Sequence, residues 1–363
     1  MDAPLRAVPR GGPGRREGGL ISPLPPDPTA ADPQVPLSAL PDPGAGKGTG
    51  LERLGRRLLV PLALGVLVVV GLALTASPRE LLRSLRDFDL RLLAPVLALS
   101  FFNYVLRYIR WEIYLRRLGS TLSRGKSVAV FLIGFLLSVT PGKAGELGKA
   151  WLVRELGGGP ALRIISAVLA ERVTDVLGTI ALVALGALPL PGGPWIAAAG
   201  LAGVAAVTLL LTWRRAAERV FAVMEKLPVV GRRMEHVEEM YERLRDLLSP
   251  GLVIVATLLA TVAWAAEGIG FFLVVRNYAP KADLLVSIFN YTVANVVGGV
   301  SMLPGGLGVA EGSLAALLHG QGLDTADASS ITLVIRGATL WFAVLLGLAA
   351  LPFVARWLGR RGR

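Results

Sequence analysis

The sequence predicts an all-α, polytopic integral membrane protein with about six full spans and two oppositely oriented re-entrant helical hairpins, both termini lying on the cytoplasmic side. Three observations carry that expectation. Hydrophobic residues make up 53% of the 363, mean hydropathy is +0.59, and the charges gather between long apolar runs, as a chain threading a bilayer requires. The pattern S-x-x-P-G-x-x-G occurs at 138–145 and again at 301–308, each time breaking an apolar run. Arg and Lys collect at one end of most runs, which sets their direction across the membrane.

Residues 1–52 are rich in Pro, Gly and Ala with scattered Arg, and they show no apolar periodicity. They read as a disordered cytoplasmic tail. The first apolar run begins only near Leu58, and Leu74-Thr75-Ala76 fits a cleavage site poorly, so no signal peptide is expected. A membrane domain over 53–357 follows, then a basic tail at 358–363. Its full spans are expected at 58–76, 92–106, 164–190, 195–212, 251–275 and 331–354. Each approaches or exceeds the roughly 20 residues that cross a bilayer core. The second and shortest is extended by Tyr108 and Trp111 at the interface.

Basic residues orient these runs. Arg53, Arg56 and Arg57 precede the first; Arg110, Arg116, Arg117, Arg124 and Lys126 follow the second; Arg214, Arg215, Arg219, Arg232 and Arg233 fill the middle loop; Arg356, Arg360, Arg361 and Arg363 close the chain. All are expected in the cytoplasm. The stretch Pro191-Gly192-Gly193-Pro194 and the connection at 319–323 lack Lys and Arg and suit the outside. Only the loop at 79–91, with four Arg offset by acids, resists the rule. Within 214–249, Met234, Val237, Tyr241, Leu244 and Leu248 recur at three- and four-residue steps among charges, as in a helix lying on the cytoplasmic interface.

Those orientations make the Pro-Gly segments hairpins. The run 128–140 enters from the cytoplasm, breaks at Pro141-Gly142 and returns, because Lys149, Arg154 and Arg163 follow. The run 285–303 starts outside, breaks at Pro304-Gly305 and returns outward. Pro removes a helical N–H and Gly permits positive φ, so the pattern supplies both a break and close backbone approach. The pair forms an inverted repeat, in which broken helices meet near the midplane. The alternative is two unrelated loops between shortened helices.

Ionisable residues within apolar runs mark the candidate site, since each costs roughly 2.5–3.5 kcal/mol at a helix centre. Glu171, Arg172 and Asp175 lie in one run; the i, i+4 spacing aligns the carboxylates and the i, i+3 spacing sets Arg172 beside Asp175. Glu267 and Arg336 fall at similar depths in two oppositely directed runs and are expected to pair. Asn290 and Asn295 read equally as ligands or interhelical glue. Around the breaks, Pro141, Gly142, Lys143, Gly145 and Glu146, and Pro304, Gly305, Gly308 and Glu311, complete a candidate substrate-binding set. For each charge the competing reading is a structural pair that locks helices.

Several classes are excluded or disfavoured. The net charge of +12 comes from Arg flanking apolar runs without interleaved aromatics, so no nucleic acid is expected as a partner. There is no Cys, and His236, in a charged loop, and His319 are too distant to suggest a metal motif. No G-x-S-x-G nucleophile turn and no G-x-x-x-x-G-K-[ST] phosphate loop occurs. No catalytic residue, metal or cofactor is expected.

The S-x-x-P-G-x-x-G-E segment at 138–146, Glu171-Arg172 with Asp175, and Leu303-Pro304-Gly305-Gly306-Leu307-Gly308-Val309 with Glu311 resemble the lysylphosphatidylglycerol synthase transmembrane region family. Arg110-Trp111 and Arg336 are similar to positions in it too, and the resemblance covers about 55–356. It implies a flippase-like membrane domain, which in bifunctional relatives moves an aminoacylated phospholipid made by a separate synthase domain. The sequence ends at Arg363, just past its last span, so neither that domain nor aminoacyl transfer is expected.

The combined expectation is a multi-pass protein of the cytoplasmic membrane that moves a polar lipid or lipid-linked precursor between leaflets, with membrane lipids as partners. Half-helix N-termini after each break present N–H groups to a head-group phosphate, with Lys143, Arg172 or Arg336 adding charge. Glu146, Asp175, Glu267 and Glu311 bind a cationic moiety or couple to protons. Two other classes stay open: a non-catalytic membrane partner of a lipid synthase or glycosyltransferase, and an intramembrane lipid-modifying enzyme. The sequence sets no oligomeric state.

Overall fold

A computed structural model describes residues 67, 70–71, 77–140, 145–212 and 234–359. The expected tail at 1–52, nearly all of the run 58–76, the basic middle loop, the C-terminal tail, and Pro141, Gly142 and Lys143 lie outside the described residues. The described residues form helices and connections with no strand. In order the helices are α1 (Pro78–Asp87), α2 (Leu93–Arg117), α3 (Arg124–Ser138), α4 (Gly148–Glu155), α5 (Ala161–Gly186), α6 (Gly193–Thr212) and α7 (Met234–Leu247). Then come α8 (Pro250–Tyr278), α9 (Leu284–Val300), α10 (Val309–Gly320), α11 (Thr325–Arg336) and α12 (Phe342–Gly359).

Polarity runs inside out. Leu258, Leu345 and Leu209 are 59%, 62% and 65% exposed, while Arg110, Lys149, Glu171, Asp175 and Glu311 are buried. In water that distribution would cost both hydrophobic and desolvation free energy; against lipid it is the favourable one. Among the described residues three helices are long and apolar enough to cross a membrane: Leu90–Arg117, Pro250–Tyr278 and Thr325–Gly359. Gly193–Leu209 and Leu284–Val300 are shorter apolar helices. The 26-residue α5 has the length to cross but carries Arg163, Glu171, Arg172 and Asp175.

An antiparallel pair, α2 and α8, forms the frame. Asp89 N–H donates to Asn277 Oδ1 at 3.2 Å near one end, and Asn103 Nδ2 donates to the Ala263 carbonyl at 2.8 Å further along. Small residues let α5 join: a Cβ at Gly178 would stand 3.0 Å from the Thr261 backbone nitrogen on α8. Trp111, Tyr114 and Leu115 of α2 share one apolar core with Val130, Ile133 and Val153, while Val96 shares a second with Phe271, Tyr291 and Leu314.

Two hairpins enter this frame from opposite ends. Ser120 Oγ donates to the Gly158 carbonyl at 2.7 Å and Thr121 Oγ1 to the Gly157 carbonyl at 3.0 Å. Those bonds fix the start of α3 and the end of α4 beside the C-terminus of α2. The second hairpin follows the C-terminus of α8, where Ala279 and Ala282 pack in the same cluster as Leu317 and Leu323. Since α2 and α8 are antiparallel, the hairpin mouths are opposed. At 15 residues α3 spans about 22 Å and at 12 residues α10 spans about 18 Å, both short of a core roughly 30 Å thick.

Four sequence expectations change. The second span runs to Arg117, because after Pro95 neither Pro nor Gly interrupts it before Gly119. Arg110 therefore lies inside the helix and is buried, as is Trp111, instead of standing at the cytoplasmic interface. The charged 79–91 loop is largely α1, whose Leu81 packs on Ala326 and whose Ser84 Oγ donates to Asp327 at 2.7 Å. Its acids and bases mark a helix face, which explains why it resisted the orientation rule. His236 lies in α7, not a loop, and that helix docks on α5 through Ser166 Oγ and the Met240 carbonyl (3.0 Å), burying Leu247 at its end and Leu248 just beyond it.

Candidate functional site

The two breaks meet. Val139, which caps α3, stands so close to the second break that a Cβ at Gly305 would lie 3.2 Å from Val139 Cγ1. Gly305 has φ +62 and Gly308 φ +85, values that glycine adopts without a Cβ clash. They turn the chain after Pro304, which is buried at the head of the short 3₁₀ turn Pro304–Gly306. At the first break, Thr140 Oγ1 accepts from Gly145 N–H at 2.7 Å. A Cβ at Gly145 would strike the Leu137 carbonyl at 2.6 Å, so the return into α4 passes too close for any larger residue.

Around these tips the charges form pairs. Lys149 Nζ donates to Glu171 Oε2 at 2.6 Å, and Arg110 Nη2 to Asp175 Oδ1 at 2.7 Å. Arg172 bonds Glu146 and stands 3.9 Å from Asp175. Glu171 and Asp175 thus use their shared face of α5 to hold α4 and α2 respectively. Thr174 between them accepts from Arg110 Nη1 at 3.2 Å. Lys149 also sits 4.3 Å above the Trp111 ring, a cation–π contact strengthened by exclusion of water.

At the second break, Arg336 Nε donates to Glu311 Oε1 at 2.5 Å and its Nη2 to the Gly305 carbonyl at 3.1 Å. The other Glu311 oxygen accepts from Gly308 N–H at 2.7 Å. Glu311 therefore closes its own helix N-terminus and anchors α11. The expected Glu267–Arg336 pair does not form: Glu267 accepts from the Tyr291 hydroxyl at 2.7 Å, and the guanidinium is taken by Glu311. Equal depth on two helices did not bring the side chains to one azimuth. Asn295 is not interhelical glue, since its Nδ2 returns to the Tyr291 carbonyl on its own helix at 2.8 Å. Asn290 is buried and its Nδ2 has no partner.

The structure thus joins Gly145, Glu146, Glu171, Arg172 and Asp175 in one cluster, and Pro304, Gly305, Gly308, Glu311 and Arg336 in a second that touches it through Val139. Sequence reasoning missed Arg107, Arg110 and Lys149 as interior residues. In the sequence Arg107 passes unnoticed, and Arg110 and Lys149 look like flanking charge. The signal for the first two was the uninterrupted helical run to Gly119 with Arg107 and Arg110 at i, i+3.

Comparison with known proteins gives a consistent picture. The sequence matches the family described as the lysylphosphatidylglycerol synthase TM region over residues 60–347. A UPF0104 membrane protein of Methanothermobacter thermautotrophicus is 28% identical over 309 residues, covering 78% of this chain and 90% of the relative. A second protein of that description from the same organism is 24% identical over 322 residues, covering 80% and 94%. A third, from Pyrococcus horikoshii, is 21% identical over 319 residues, covering 79% and 94%.

Proposed function

The chain belongs to the lysylphosphatidylglycerol synthase TM-region family, and from that premise we propose that it moves a polar lipid or lipid-linked precursor between the leaflets of the cytoplasmic membrane. The observation that carries this reading is the meeting of two oppositely entering breaks beside paired charges, with Val139 against Gly305 and Arg336 on the Gly305 carbonyl. Broken helices joined at their tips leave each mouth open toward one face, so a small rocking of one hairpin against the other exposes the interior to alternate sides.

The ion pairs suit such motion. A buried pair gains little net stability over an apolar one but is costly to break singly. Charges such as Arg172 and Glu146 can therefore exchange internal partners for those of a passing head group at a modest net cost. The carboxylates hold position or bind; no bond of the lipid is made or broken. The helix N-termini offer less to a phosphate than the sequence alone implies, because Glu311 occupies the Gly308 N–H and Thr140 the Gly145 N–H.

The test is leaflet accessibility of fluorescent phospholipids in vesicles reconstituted with the full chain. Glu146→Ala, Arg172→Ala and Glu311→Ala are each expected to slow exchange between leaflets. Exchange unaltered in all three would remove the site.

A further inference from the structure

Among the described interior charges, Arg107 and Glu267 stand outside the ion pairs. Arg110, Lys149, Arg172 and Arg336 are paired with Asp175, Glu171, Glu146 and Glu311. Among the described residues Arg107 has neither an ion pair nor a hydrogen bond, and its Nε is buried without a partner. Its guanidinium lies 5.3 Å from the centroid of Phe135 and 5.8 Å from that of Trp264. Ring contacts engage the flat face of a guanidinium and leave its in-plane N–H donors free. Glu267 is buried, accepts only from the Tyr291 hydroxyl, and has no cation bonded to it.

Helix geometry brings the two heads together. Asn103 of α2 touches Ala263 of α8. Arg107 and Glu267 each lie one turn beyond that contact on antiparallel helices. Helical side chains lean toward their own N-terminus, so both lean back toward the Asn103–Ala263 level from opposite directions. Glu267 is within electrostatic range of Arg107 and of Arg336, whose guanidinium is bonded to Glu311, while Asp175, also near Arg107, is bonded to Arg110 through Oδ1. At that level Asn103 Oδ1, on a fully buried residue, has no hydrogen-bond partner.

We propose that Arg107, Glu267 and Asn103 form a subsite for a zwitterionic head group, with Arg107 taking a phosphodiester and Glu267 with Asn103 Oδ1 taking an ammonium. The inference rests on the lipid-moving reading and names its substrate class: a phospholipid that carries both charges, as phosphatidylethanolamine does. An anionic lipid lacking the ammonium satisfies Arg107 and leaves Glu267 buried and unmatched. Such an asymmetry discriminates strongly, because a site built for a donor is penalised when the donor is missing. The same charges occur in water-soluble glycerophosphoethanolamine, so the acyl chains are a separate variable.

The experiment is titration calorimetry of the full chain in detergent with dioctanoyl phosphatidylethanolamine, dioctanoyl phosphatidylglycerol and glycerophosphoethanolamine. Wild type is expected to bind the ethanolamine lipid about ten-fold tighter than the glycerol lipid, the value of one added charged contact of about 1.4 kcal/mol. Glu267→Gln should erase that preference, and Arg107→Gln should weaken both lipids. Arg107→Lys, which keeps the charge, should retain the preference, and unfolding midpoints near wild type would show that the variants are folded. Equal affinity of wild type for the two lipids, or a preference that survives Glu267→Gln, overturns the proposal. Tighter binding of glycerophosphoethanolamine than of the lipid overturns the lipid source. Leaflet exchange that depends on Glu146 and Arg172 but ignores Arg107 and Glu267 sinks this subsite alone; selective binding without any exchange sinks the transport reading alone.

Discussion

Val139, at the end of the first inward arm, is packed against Gly305 in the turn of the second, and this one contact joins two hairpins whose mouths lie at opposite ends of the α2–α8 frame. Gly305, with no side chain and a left-handed φ of 62, makes this approach without crowding or backbone strain. Arg336 then fixes the turn from the far side through the Gly305 carbonyl. Interior charge, backbone break and hairpin tip thus share one region.

The second hairpin is held shut by small residues. A Cβ at Gly298 would stand 2.7 Å from Ala310 Cβ, so Gly298→Ala should force α9 and α10 apart. We expect it to lower stability by about 1–3 kcal/mol, the usual cost of overpacking. Ala310→Gly added to it should restore most of the loss. Thermal unfolding in detergent measures both, and two independent, additive losses would contradict the packing.

The Arg110–Asp175 pair should behave as a buried pair does. Asp175→Ala leaves the buried Arg110 guanidinium without its carboxylate, with Thr174 Oγ1 its remaining hydrogen-bond acceptor, and is expected to cost about 3–5 kcal/mol. The joint change Arg110→Met with Asp175→Leu should recover much of that, since neither charge then remains. A double variant as unstable as the sum of the single ones would show that the pair contributes more than mutual compensation.

Sidedness follows from the opposed mouths. Thr121, at the mouth of the first hairpin, and Gln321, at the mouth of the second, are both exposed. With no native cysteine to interfere, Thr121→Cys and Gln321→Cys should react with an impermeant maleimide from opposite sides of sealed vesicles, Thr121→Cys from the cytoplasmic side. Labelling of both from one side would contradict the inverted arrangement.

Much of the architecture was legible because apolar runs and their Pro-Gly interruptions report helices and breaks directly. The tandem Glu171, Arg172 and Asp175 announced themselves by their cost in a helix. Pairing was not legible: Glu267 and Arg336 agree in depth, yet azimuth gives Glu267 to Tyr291 and Arg336 to Glu311. Arg110 and Lys149 were hidden by position, since Arg and Lys beside an apolar run look like flanking charge until the helix is known to continue. The amphipathic α1 was similarly masked, because its polar face dominates its composition.

For a lipid to pass, the two breaks that meet at Val139 and Gly305 must part. Val139→Cys combined with Gly305→Cys should form a disulfide under mild oxidation, although a side chain at a left-handed position costs about 1–2 kcal/mol. Leaflet exchange of a fluorescent phospholipid, measured in vesicles before and after reduction, is the deciding observation. Exchange blocked in the oxidised protein and restored by reductant is the predicted result; exchange that continues unchanged through the cross-linked tips would contradict it.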